Sequence, residues 1–158
     1  MAILISFYAF IAIGIAEGGL GVLIPSIIET YNLTSANITL IFLSQVTGYI
    51  FAALSSSILS SRIGLGRTLL IASITLALGL IIYASSPYWW LMVAAGSFLG
   101  LGIGLIDAGI NSYIANRQSQ ADLMGWLHGF YGIGALLGPA VASTSRALGL
   151  FWRRFYLM

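Results

Sequence analysis

Leu91–Asn111 reads LMVAAGSFLGLGIGLIDAGIN, an apolar run in which Asp107 is the one charge and Gly96, Gly100, Gly104 and Ala108 recur every fourth residue. The run is long enough to cross a bilayer core, which takes about 20 helical residues. A carboxylate near mid-bilayer costs at least about 2.5 kcal/mol, so an acid there is expected to face a protein-lined or watery path and to carry function. Small residues at a spacing of four give a helix the flat face that lipid-embedded helices use to approach one another. The same combination occurs near the N-terminus, where Glu17 lies in an apolar stretch beside Gly18, Gly19 and Gly21.

The rest of the chain extends this reading. Its 158 residues are 59% hydrophobic and 6% charged, more apolar than a single soluble core hides. About five crossings fit: 3–28, 38–60, 68–84, a fourth ending near Ala115, and 123–143. The polar stretch 29–37 reads as the first loop, and 61–67 as a tight turn. Ser85-Ser86-Pro87 breaks the third span, and Trp89-Trp90 marks an interface. Residues 144–158 are too short for a further crossing, so the fold class is an all-α membrane protein with residues 1–158 as a single transmembrane domain. The first span reads as a retained helix, since no charged segment precedes it. With no lysine, orientation rests on Arg62, Arg67 and Arg117 in the second and fourth loops, which places those loops and the N-terminus on the cytoplasmic side. Arg146, Arg153 and Arg154 oppose that assignment.

The absence of cysteine excludes disulfides and thiolate metal sites, and six arginines against four acids give no basic patch that calls for nucleic acid. No Ser/His/Asp array, metal cluster or phosphate loop has workable spacing, so neither an enzyme nor a cofactor is expected.

Asp107 and Asn111 are four apart and share one face of the fourth span; His128 and Tyr131 are three apart and share one face of the fifth. Counting from the connecting loop puts Asp107 and Tyr131 at one depth, about 13 Å, with Asn111 and His128 together at a shallower one. Glu17, Gln45 and Tyr49 can complete the wall of such a space. Each polar side chain also has a plainer reading: amides and phenols often join helices, and the glycines pack them. For the two acids, which can be neutral in one state and ionised in another, a proton-coupled role is expected.

With these residues in place, the chain resembles the N-terminal half of a major facilitator superfamily transporter. Ser57-Ile58-Leu59-Ser60-Ser61-Arg62-Ile63-Gly64-Leu65-Gly66-Arg67 is similar to that superfamily's G-x-L-A-D-R-x-G-R-R gating loop, with Arg62, Gly64 and Arg67 matching in type. Ser57 and Ser61 replace its glycine and aspartate, and one residue is inserted before Arg67. Gly104–Asn111, GLIDAGIN, resembles the G-L-x-E-x-x-x-N of fucose-permease-like proton symporters. Leu127–Pro139, LHGFYGIGALLGP, looks like fungal proteins of the bypass of stop codon type. Gly125, Gly134, Gly138-Pro139 and Ala142 are similar to the fifth-helix signature of proton-drug antiporters.

The resemblance implies five helices of a six-helix half-bundle, belonging to a fragment or truncated relative of a proton-coupled carrier for a small polar, sugar-like solute. Asp107 and Glu17 would couple protons, while Asn111, His128, Tyr131, Gln45 and Tyr49 would contact the solute. The partners implied are lipid, protons, the solute, and a missing C-terminal half or a second copy. The alternatives are proton-coupled efflux of hydrophobic drugs or cations, and a non-transporting membrane scaffold.

Overall fold

The computed structural model describes residues 2–116 and 120–157. Five long helices follow one another: α1 (Ala2–Tyr31), α2 (Ser35–Ile63), α3 (Leu65–Ser85), α4 (Trp89–Ala115) and α5 (Gln120–Ala147). A short 3-10 helix, Trp152–Leu157, comes after them. The first four are long and apolar enough to cross a membrane, while α5 matches them in length but is less apolar.

The helices outrun the expected spans. α1 continues through Pro25 to Tyr31, so Glu29 lies on a helix rather than in a loop. The α1–α2 connection shrinks to Asn32, Leu33 and Thr34. Asn32 turns the chain at φ 54°, a left-handed value that asparagine accepts better than most residues. Thr34 then caps α2, its hydroxyl accepting the Asn37 N–H at 3.3 Å. The turn expected over 61–67 is a single residue, Gly64, at φ 85° and ψ 150°, a combination reserved for glycine. Its N–H donates to the Ser60 carbonyl and its own carbonyl accepts from Thr68, so both flanking helices keep their ends satisfied. Arg62 and Arg67 flank it, both exposed. Arg117, used above for orientation, lies outside the described residues.

Two compact units make up the chain, and the burial pattern in each is that of a lipid-embedded bundle. The first unit holds residues 1–30 with 111–156; the second holds 31–110. Large apolar side chains point outward, Leu136 being 78% and Leu54 72% exposed, while Gly14, Gly48, Gly100, Gly104, Gly134 and Gly138 are buried. Only surroundings as apolar as leucine make that distribution stable.

In the first unit, side chains built on Gly14 and Gly18 of α1 would strike the α5 backbone at Tyr131 and Ala135. Gly134 and Gly138 of α5 meet the backbone of α1 at Ile11 and Ile15 in the same way. In the second unit, Gly100 and Gly104 of α4 lie against Gln45 and Tyr49 of α2, and Gly48 of α2 against Ser97 of α4. Gly102 and Gly79 seat α3 on α4 through Leu76 and Leu99. Gly125, Gly129 and Gly132 have open space instead.

This contrast gives a direct test. Gly100→Val and Gly134→Val should each destabilise the protein by about 1–3 kcal/mol, because backbone leaves the added carbons no room. Gly125→Val should cost far less. Unfolding in mixed micelles measures all three, and equal losses would remove the packing explanation.

Candidate functional site

Each intramembrane acid is held by a tyrosine from another helix. In the first unit, the Tyr131 hydroxyl on α5 donates to Glu17 Oε2 on α1 at 2.7 Å. In the second, the Tyr49 hydroxyl on α2 donates to Asp107 Oδ2 on α4. A carboxylate accepting an O–H bond is roughly twice as strongly held as a neutral acceptor.

The two pairs share a local construction. Gly14 lies three residues before Glu17 and against the carbonyl of Tyr131; Gly104 lies three residues before Asp107 and against the carbonyl of Tyr49. A spacing of three keeps glycine and acid on one helix face. The glycine therefore lets in the backbone of the same tyrosine whose hydroxyl reaches the acid.

The sequence carries the same duplication, which inspection of single motifs overlooks. Ile13–Gly21 reads IGIAEGGLG and Ile103–Asn111 reads IGLIDAGIN, so Ile13, Gly14 and Gly19 recur as Ile103, Gly104 and Gly109, and Glu17 as Asp107. Glu17 precedes Gly21 by four residues and Asp107 precedes Asn111 by four, so the second copy places an amide where the first has glycine. The two copies lie on α1 and α4, three helices apart in chain order.

The other residues singled out above fall differently. Gln45 is half-buried and donates to the Tyr83 hydroxyl at 3.4 Å rather than joining either pair. Tyr83 is fully buried on α3, with Gly96 of α4 beside its hydroxyl. Sequence reasoning missed it, although a lone phenol within an apolar span was the available signal. Asn111 is half-buried and His128 exposed. The His128 ring meets Phe10 edge to face, with centroids 6.0 Å apart. Among the described residues, no group of three or more histidine, cysteine, aspartate or glutamate side chains gathers to ligate a metal.

Long apolar helices, outward leucines and acids bonded to tyrosines beside glycine contacts define a multi-pass helical membrane bundle. The family model of the Major Facilitator Superfamily matches residues 5–158, and the chain belongs to that family. It is 31% identical over 151 residues to bypass of stop codon protein 6 of Saccharomyces cerevisiae, covering 94% of this chain and 30% of that protein. It is 29% identical to the glucose/mannose transporter GlcP of Bacillus subtilis, covering 85% of this chain and 34% of that protein. Against the sodium-dependent glucose transporter 1A of Mus musculus the identity is 25%, covering 87% and 33%. The chain thus spans about a third of the length of these relatives. No solved structure gives a significant match.

Removing either phenol oxygen tests the pairs. Tyr49→Phe and Tyr131→Phe should each cost about 0.5–1.5 kcal/mol of unfolding free energy. In double-mutant cycles, Tyr49→Phe should be non-additive with Asp107→Asn, and Tyr131→Phe with Glu17→Gln. Strict additivity in both cycles would mean that the bonds contribute nothing.

Proposed function

We propose that this chain supplies the acid-bearing half of a proton-coupled carrier for a small polar, sugar-like solute. Asp107 and Glu17 exchange the protons. The observation that carries this reading is the pairing of each acid with a tyrosine hydroxyl inside a membrane helix. The glucose and mannose named for the bacterial relative point to the same solute class.

The chemistry follows from what a carboxyl can bind in each state. Ionised, it only accepts; protonated, it gains a donor and loses its charge. A sugar hydroxyl offers the acid the same O–H that tyrosine offers. Solute therefore enters by replacing Tyr49 at Asp107 or Tyr131 at Glu17, and the released phenol becomes a further contact for it. At Asp107, Asn111 one turn along α4 and Gln45 on the same helix as Tyr49 add amides; at Glu17, His128 three residues before Tyr131 adds a ring nitrogen. Arg62, Gly64 and Arg67 form the gating loop, and the N-terminus faces the cytoplasm. Carriers of this architecture rock two halves about a central site, so a second half or a second copy completes the route.

Equilibrium binding separates this from its rivals. Purified protein in weakly buffered detergent should bind glucose or mannose with a measurable exchange of protons. Asp107→Asn should weaken binding about tenfold, the loss of one charge-assisted bond, and Asp107→Asn together with Glu17→Gln should abolish the proton exchange. Binding that requires sodium and moves no proton would replace proton coupling with sodium coupling. Binding indifferent to both Asp107→Asn and Glu17→Gln would remove the acids from the site.

A further inference from the structure

A second polar site lies in the first unit, away from the acid–tyrosine pair. An open cleft of about 570 Å³ is lined by Ser26, Glu29 and Thr30 of α1, Arg146 of α5, and Phe151 and Trp152 beyond it. Ser26 follows Glu17 by nine residues, two and a half helical turns, so the two lie on opposite faces of α1. The cleft is therefore no extension of the Glu17 site.

Its level in the membrane follows from helix length. The 30 residues of α1 measure about 45 Å against a hydrocarbon core of about 30 Å, so its terminal turns project into the headgroup layer. Ser26–Thr30 form the last turns of α1, and Arg146 stands in the last turn of α5. Phe151 and Trp152 supply the aromatic rings that settle at this depth.

The lining carries both signs of charge. Arg146 is exposed and spends one N–H on the Val22 carbonyl at 3.3 Å, which anchors the guanidinium and leaves its other donors for an anion. Glu29 is exposed and sits where α1 presents its negative dipole end, which favours a cation. The Trp152 indole N–H is fixed on Thr30 Oγ1 at 2.8 Å, so the ring is held in place. A bare phosphate would meet Glu29, and a bare cation would meet Arg146. A ligand with both charges a few bonds apart satisfies each.

We propose that this cleft holds the headgroup of a zwitterionic phospholipid, with the phosphate on Arg146, the ammonium at Glu29 and the glycerol end against Phe151. Leu148, exposed two residues after Arg146, offers an apolar side chain to the acyl chains.

Native mass spectrometry of the full chain, released from mixed micelles, reads this out as retained lipid mass and does not depend on whether a sugar binds. Phosphatidylethanolamine should be retained about tenfold over phosphatidylglycerol, the worth of one charged contact. Glu29→Gln should erase that preference, Arg146→Gln should lower retention of both lipids, and Arg146→Lys should restore part of it. If Arg146→Gln loses the fold together with its bond to Val22, the exposed Glu29→Gln carries the test alone. Equal retention of the two lipids by the unmodified chain, or a preference that survives Glu29→Gln, would overturn the assignment. Displacement of the lipid by an equal concentration of soluble glycerophosphoethanolamine would overturn the lipid as the source.

Discussion

Backbone contact at glycine is the constraint from which the rest of this structure follows. In lipid, helices gain little by hiding leucine from one another, so association rests on how closely the main chains can approach. Gly14 and Gly104 bring α1 onto α5 and α4 onto α2, each against the carbonyl of a tyrosine. A phenol reaches only a short distance beyond its own backbone. The acid three residues on lies within that distance because the glycine has no side chain to hold the tyrosine off. Packing and polar chemistry are thus one device used twice, and the repeated IG-x-x-[ED] pattern is its written form.

The parts of the fold legible from sequence were those fixed by composition. Five apolar stretches, the stacked glycines and the two misplaced acids required no tertiary knowledge. Helix ends were less legible, because polar residues do not by themselves stop a helix whose flank is packed. Glu29 and Thr30 remain helical past Pro25, where the Thr30 hydroxyl returns to the Ser26 carbonyl at 2.7 Å. Ser61 and Arg62 are likewise carried to the end of α2, and only Gly64, with a backbone that L-residues avoid, interrupts it.

The acids and tyrosines stood out in the sequence as polar residues of apolar spans, but their pairings did not. Counting residues from a loop gives a depth, and every helix at that depth is then a candidate neighbour. Depth placed Asp107 level with Tyr131, yet Tyr49 holds Asp107 and Tyr131 holds Glu17. What selects the partner is the direction in which the helix face points, which the glycine at i−3 records. Reading the glycines and acids together, rather than as separate packing and chemical signals, would have matched each of the two tyrosines to its acid. Tyr83 escaped for a related reason: its role is set by Gln45 and Gly96 on two other helices.

Two matched acid–phenol pairs differ in one respect that bears on their division of labour. The position four residues after Asp107 is Asn111, whereas the position four after Glu17 is Gly21. An amide one turn from the acid adds a donor and an acceptor on the same face, which a hydroxyl-rich solute can use. A glycine there adds neither and leaves the helix face open. Under the proposed function, the second copy is therefore the better equipped to bind a hydroxyl-rich solute. The first has an exposed Glu17 with a glycine, which carries no polar group, one turn on.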